Sequence, residues 1–550
     1  MVQTILYSFV VFQVLGVSVS NGQTENSGGP FRGIVWEPPV PFAELREDLN
    51  AISAHGANAV RLPLVLESNL HVAADFFGVT LFQELDARFL PAQRIVDQRE
   101  RLTAQIDSAI EVASKAEGRH RFGLGYWVDT SDRSSCGVLE ALSERVHRRI
   151  PNAQTYYVSA FVESDVCSHA VDFVLLDADA TSAGIDLVRR WRRRSDTPVG
   201  ISSVGFTVRP NAGFGYRSVH SPEFQARMLE GELTRLLADH DLTAVFVEQW
   251  RARGAGDRPG AAQVSDPGII APDGTARPSS AVVRGLYTGD QHVFAIDAGE
   301  ALGSDFSLIN LVSFLSVALF GLTYYGSIGL RSIVRRYFLS HSIYIEKLSD
   351  GREATIGPSL FLLLCLSLAA GVVGMTVLTD LSGTRLWDPI LHWLPESLAY
   401  QLEVAVTRPS ILVAAFASLF ALVTLIWAGI LSASTRGSKR LRFGQTLLCA
   451  VMPRWPVALI GLLALVMLNW RFDAPGFVLI AVMGFWFAVV ITYTGRMFSD
   501  FLRLLGIRAL WTIPVLLLGL AFVAGIVWLA VVTNDLVPEL EYLWNISSRG

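Results

Sequence analysis

Charge is the first thing this sequence is short of. Asp, Glu, Lys and Arg make up 17% of its 550 residues, against about 25% in an ordinary soluble domain. The shortage is uneven: residues 22–305 hold most of the charge, and residues 306–550 hold long uncharged apolar runs. The formal net charge is only −5. No basic stripe with interleaved aromatics occurs in the charged half, which excludes nucleic acid as the expected partner. Cysteine is scarce too. The four cysteines lack the spacing of a zinc site, so no metal centre is expected, and nothing in the chain asks for a cofactor. Cys365 and Cys449 fall in apolar runs and read as small inert side chains. Cys136 and Cys167 lie in the charged half, where a disulfide between them is open if that half is exported. No Gly-rich phosphate loop comes after the first strand-like run, which counts against an open dinucleotide-binding sheet.

The first four residues lack Lys and Arg, yet Ile5 to Val19 forms an apolar stretch of the length of a signal-peptide core, with small residues at Ser18 and Ser20. Residues 1–21 therefore read as a signal peptide or as an uncleaved N-terminal anchor. Either way, the chain beyond the polar linker at 22–29 is exported.

Six apolar runs are each long enough to cross a bilayer, which takes about 20 residues: 306–330, 359–379, 411–432, 443–470, 474–495 and 509–534. One set of connections carries Arg331, Arg335, Arg336, Lys347, Arg352, Arg436, Lys439, Arg440, Arg442, Arg496, Arg503 and Arg508. The other carries Arg385, Arg408 and Arg471 beside Asp380, Asp388, Glu396, Glu403 and Asp473. Basic connections stay cytoplasmic. This places residues 22–305 and the tail at 535–550 outside, in a multi-pass protein of the cytoplasmic (inner) membrane whose first half is periplasmic. The basic, amphipathic Ser327–Tyr344 segment reads either as a helix on the inner membrane surface or as an ordinary connection. Only Arg454 interrupts the apolar runs, and the runs show no clear duplication. Transport of ions or protons needs intramembrane ionisable groups, so an anchor or assembly platform is expected over a transporter.

In the charged half, eight short β-like runs alternate with amphipathic helical stretches: Arg32–Pro38, Asn58–Leu64, Val79–Leu85, Phe122–Asp129, Gln154–Phe161, Val171–Ala178, Pro198–Gly205 and Thr243–Trp250. Most are continuously apolar, as parallel strands buried on both faces are. Eight such units predict an α/β fold, a closed (β/α)8 barrel over 30–290, with a linker at 291–305 before the all-α transmembrane domain at 306–534. Working groups in such a barrel sit at the C-terminal ends of strands. Those ends read Trp36 and Glu37, Arg61, Glu84, Trp127 and Asp129, Asp177 and Asp179, Ser202 and Ser203, and Glu248 and Trp250. Acids and indoles around one mouth suit a sugar, since carboxylates bond hydroxyls and indole faces stack on pyranose rings.

These phrases resemble the catalytic barrel of glycoside hydrolases, the family 2 type in particular. FRGIVWEPP (Phe31–Pro39) is similar to its first strand, HGANAVRLP (His55–Pro63) to its second including Arg61, and FFGVTLFQEL (Phe76–Leu85) to its third. PVGISSVGF (Pro198–Phe206) resembles its seventh strand, VFVEQW (Val245–Trp250) its eighth, and GIIAPDGTARPSSAVV (Gly268–Val283) its closing segment. The membrane half resembles no family. The strand ends and the resemblance together give a sugar site on Trp36, Arg61, Trp127 and Trp250, the resemblance putting Trp250 under the sugar and Arg61 beside the nucleophile. The resemblance also implies a nucleophilic Glu on strand seven and an acid/base Glu ending strand four. The first position holds Ser203, which cannot replace a carboxylate without an adjacent base. The second falls on Trp127, Val128 or Asp129, and only Asp129 can transfer a proton. Retaining hydrolysis needs both carboxyls. The expectation is thus a catalytically degenerate barrel that binds a glycan or an envelope protein. Asp129 with Glu248 or Glu37 is the surviving candidate pair for an active membrane-bound hydrolase, and a subunit of a polysaccharide transport or export system is the third reading.

Overall fold

The structure is a computed structural model, and it describes residues 29–38, 44–115, 120–178, 184–209, 212–252, 266–299, 308–350, 356–382, 384–434, 441–470, 495–504 and 536–549. Eight parallel strands close into a barrel in sequence order: β1 (Phe31–Val35), β2 (Ala59–Pro63), β3 (Thr80–Glu84), β4 (Arg121–Tyr126), β5 (Gln154–Ser159), β6 (Phe173–Ala178), β7 (Val199–Val204) and β8 (Ala244–Val247). β1 pairs with both β2 and β8, so no sheet edge is left open. Each strand lies within one of the eight runs expected from the sequence, allowing a residue at either end. Their burial on both faces explains why they read as apolar runs.

Among the described residues, eight helices surround the strands: α1 (Leu45–Ala54), α2 (Ser68–Phe76), α3 (Ala92–Asp97), α4 (Arg99–Ala113), α5 (Arg133–Arg149), α6 (Gly184–Arg192), α7 (Pro222–Leu237) and α8 (Pro278–Thr288). Leu45, Leu49 and Ile52 of α1 recur at helical spacing and are buried in the layer between helices and strands. The barrel interior is aromatic. Phe82 meets Phe246 at 4.9 Å and Tyr156 at 5.5 Å between ring centroids, and Tyr156 stacks on Phe173 at 5.2 Å. Gly33 leaves the room that the Phe246 ring fills. The seam between β1 and β8 has its own brace: Asp48 of α1 accepts Nε1 of Trp36 at 3.1 Å, Nε1 of Trp250 at 3.3 Å and Nε of Arg251 at 2.9 Å. Cys136, in the first turn of α5, is bonded to Cys167 in the loop before β6, across 31 residues.

Beyond the barrel come α9 (Leu308–Gly326), α10 (Ile328–Leu339), α11 (His341–Ser349), α12 (Ile356–Ser382), α13 (Trp387–Trp393), α14 (Glu396–Val406), α15 (Pro409–Ser434), α16 (Phe443–Val451), α17 (Pro456–Trp470), a helical stretch at 495–504, and α18 (Val537–Arg549). Six straight spans are not what the described residues form. Two helices, Ile356–Ser382 and Pro409–Ala433, are long and apolar enough to cross a membrane, and up to four if two bent pairs each count as one. The run at 306–330 breaks at Ser327, whose side chain accepts from the Leu330 N–H and starts a new helix at 101° to the old one. The run at 443–470 is bent by 43° where Pro453 and Pro456 interrupt the helical bonding. The runs at 474–495 and 509–534 lie almost wholly outside the described residues.

The helical half closes onto the C-terminal ends of the strands. Trp393 Nε1 of α13 donates to the Phe89 carbonyl at 3.3 Å, and the His392 ring lies 5.1 Å from the Phe89 ring. From α18, the Tyr542 hydroxyl donates to the Trp127 carbonyl, and Glu539 pairs with Arg94 at 2.8 Å. The barrel therefore touches the connection at 384–407 and the tail helix, both from the set of connections poor in basic residues.

Replacing both Cys136 and Cys167 by serine releases a 31-residue loop, and should lower the unfolding free energy of the barrel by about 3 kcal/mol. Thermal melts of the wild type with and without reductant, beside the double variant, measure this; coincident melts of all three would remove the disulfide from the stability account.

Candidate functional site

At the mouth, β7 departs from regular pairing. Leu176 faces Ile201 but Asp177 faces Ser203, and on the other side Ile201 faces Val245 while Val204 faces Val247. An extra residue is thus bulged out at Ser202–Ser203. Successive residues of a regular strand point to opposite faces. The bulge lets both serines turn to one acceptor: Ser202 Oγ and Ser203 Oγ donate to Asp177 Oδ1 at 2.9 and 2.7 Å. Tyr126, at the end of β4, donates its hydroxyl to Asp177 Oδ2 at 3.2 Å. Asp177 is therefore fixed by three hydroxyls from two strands.

Glu248 comes directly after β8, its N–H bonded to the Val204 carbonyl at 3.0 Å. Its carboxyl lies over Gly205, where any Cβ would collide with it. Asp177 and Glu248 so flank the end of β7 from either side. Burial in the mouth, the charge of Asp177 and that of Asp388 push the Glu248 carboxyl up to about 8, with Arg61 opposing. Asp388 comes from α13 of the helical half. Burial, Asp177 and Glu403 raise it to about 6, although its side chain still has open surface. Two acids of the barrel, Asp177 and Glu248, thus meet one from the helical half.

Arg61, another residue singled out in the sequence, is buried and paired with Glu84 of β3 at 2.7 Å, which Arg88 also approaches at 3.6 Å. Its guanidinium lies 5.5 Å from the centre of the Tyr126 ring. Trp36 and Trp250 are 1% and 2% exposed, and their indoles brace Asp48 outside the strands rather than floor the mouth. Trp127 is 3% exposed, stacked on Tyr126 and edge-on to Phe89. Asp129 is buried, where it accepts both the N–H and the hydroxyl of Ser131, at 3.2 and 2.6 Å, and Nδ2 of Asn545 of α18 at 3.4 Å. Glu37 is exposed beyond β1, and Asp179 lies outside the described residues. Phe89 and Trp127 both have φ of 52°, the left-handed region that large side chains avoid. Sequence reading missed Tyr126, Asp388, Trp393 and Tyr542 as mouth residues. Tyr126 had a readable signal in its place at a strand end. The other three had none, because they reach the mouth from hundreds of residues away. Among the described residues, no group of three or more His, Cys, Asp or Glu side chains is placed to hold a metal ion.

Set beside known proteins, the chain matches no family model and no curated protein. Among solved structures it is similar to a family 2 β-galacturonidase from Eisenbergiella tayi, at 16% identity and a TM-score of 0.43, over 48% of this chain and 52% of that one. A β-glucuronidase from Dictyoglomus thermophilum is 12% identical with a TM-score of 0.41, over 48% and 52%. One from Ruminococcus gnavus is 11% identical with a TM-score of 0.43, over 47% and 50%. The chain spans about half the length of each of these.

The mouth acids make a signed prediction. In the folded protein the Glu248 carboxyl holds its proton up to about pH 8, and in the unfolded chain it loses it near the ordinary 4.5. Between these values the folded state binds the extra proton, so this carboxyl's contribution to stability is fully present below pH 4.5 and is lost as pH rises toward 8. Glu248→Gln should flatten this decline, by on the order of 3 kcal/mol at pH 8.5 relative to pH 5. Denaturation of the detergent-solubilised full chain across that range reads it. Identical pH profiles for variant and wild type would show that Glu248 does not titrate in this way.

Proposed function

We propose that this chain is a membrane-anchored, glycoside-hydrolase-like protein of the cell envelope whose barrel is catalytically degenerate and binds a glycan or an envelope protein at its mouth. One observation carries the reading: neither position that the family resemblance gives to catalysis offers a free carboxylate. Ser203 is a hydroxyl where the nucleophilic carboxylate would stand, and it is held by Asp177. Asp129 is buried under Asn545 of the tail helix. A general acid must come within hydrogen-bond reach of the proton it transfers, and Asp129 is closed off by the chain's own fold. The hydroxyls and acids that remain, Ser202, Ser203, Tyr126, Asp177, Glu248 and Asp388, suit recognition of a hydroxyl-rich ligand.

In this reading the helices hold the barrel at the outer face of the cytoplasmic membrane. The disulfide between Cys136 and Cys167 supports an oxidising compartment. So does the company the barrel keeps, since it packs on the connections poor in Lys and Arg, which the charge rule puts outside.

A second reading rests on Asp177 and Glu248. A carboxyl kept protonated near neutral pH beside a carboxylate is the pairing of acid and base that glycoside hydrolysis uses. The two readings separate in one assay, a panel of aryl glycosides offered to the detergent-solubilised full chain. The degenerate reading expects release of aryl alcohol no faster than from buffer. Turnover lost in Asp177→Asn and Glu248→Gln, but kept in Asp129→Asn, would establish the second reading instead. Turnover lost in Asp129→Asn would overturn both.

A further inference from the structure

The two bent helix pairs of the helical half frame a cavity of about 500 Å³, within the range of roughly 300–1,000 Å³ of small-molecule sites. Tyr324 of α9, Val334 and Phe338 of α10, Cys365 and Leu366 of α12 and Trp455 at the bend between α16 and α17 are among its walls. We propose that this cavity holds one acyl chain of an anionic glycerophospholipid, whose phosphate is met by Arg331 and Arg335.

The bend sets the geometry. α10 leaves α9 at 101°, so if α9 runs along the membrane normal, α10 lies along the membrane surface. Its faces divide accordingly. Leu330, Ile333 and Tyr337 are buried against the helical core. On the neighbouring face, Arg331, Val334, Arg335 and Phe338 recur at spacings of three and four, which makes one stripe. Two members of that stripe line the cavity and the other two are exposed cations. The stripe thus joins an apolar chamber to positive charge at one level of the bilayer, the order in which a phospholipid presents its chain and its phosphate. Arg331 is held in place by donating to the Tyr324 and Tyr325 carbonyls at the end of α9. The chamber also opens sideways: Phe338 is 50% and Trp455 38% exposed, so a chain can enter from the bilayer. A second helix would require a longer groove, and a soluble apolar ligand would make no use of the arginines.

The test is photo-crosslinking. The full chain is reconstituted in phosphatidylcholine nanodiscs that carry, at the same low mole fraction, either phosphatidylglycerol or phosphatidylcholine with a diazirine in one acyl chain. Crosslinks are mapped by mass spectrometry. The expected result is crosslinking at Phe338, Cys365 and Trp455, with phosphatidylglycerol favoured by about fivefold for each arginine that meets the phosphate. Arg331→Gln with Arg335→Gln should remove the preference while phosphatidylcholine still labels the chamber. Cys365→Trp, which fills the chamber, should abolish labelling there and leave labelling elsewhere on the helices. Equal labelling of the wild type by the two lipids overturns the proposal, as does labelling spread evenly over the apolar helix surfaces. The wild-type comparison decides even if a variant fails to fold.

Discussion

Two large residues, Phe89 and Trp127, hold a left-handed backbone that ordinarily belongs to glycine, and it is their carbonyls that receive Trp393 and Tyr542 from the helical half. Such strain costs roughly 1–3 kcal/mol per residue and persists only where the surroundings over-determine it. Here the surroundings are a second domain. The aromatic cluster of the barrel interior runs without a break from Phe82 and Phe246 through Phe89, Trp127 and Phe161 to Tyr542 and Ile546 of the tail helix. Barrel and helices therefore share one core at the mouth, and both the cover over Asp129 and the presence of Asp388 depend on that junction.

The junction also explains why the mouth is unlike an open substrate cleft. Asp129 and Trp127, which the resemblance would give to chemistry and stacking, lie beneath the tail helix. What stays polar is the group around Asp177. The bulge in β7 turns two neighbouring serines to a single carboxylate oxygen, and Gly205 clears the space for Glu248. Charge from the helical half completes the group through Asp388. The group at the mouth is therefore built by two halves of the chain at once.

The barrel was legible because parallel strands buried on both faces carry a continuous apolar signal, and all eight runs became strands. The mouth was legible only in part. Their place at strand ends makes Trp36 and Trp250 look like mouth residues. A single step along a strand reverses the face, however, and both indoles fall on the outer side, where Asp48 gathers them. Asp177 was visible as a strand-end acid, but its three hydroxyl partners depend on a bulge that no local pattern announces. Pro453 and Pro456 did carry the signal for the bend in the run at 443–470. The break at Ser327 was legible in part: the run at 306–330 reads past it, but the basic, amphipathic segment also begins there, and there the new helix starts.

The bond between Tyr542 and Trp127 joins residues 415 positions apart, and the intervening chain contains all of the long apolar helices described. A ribosome releases the barrel's last strand long before it makes the helix that covers the mouth. The barrel thus passes through a stage in which its strained turns have no partner and Asp129 faces water. During that interval the mouth is uncapped and lacks Asp388, so it is built from the barrel alone. Contacts with high sequence separation close slowly, and this one forms only after the helices between its partners have been made.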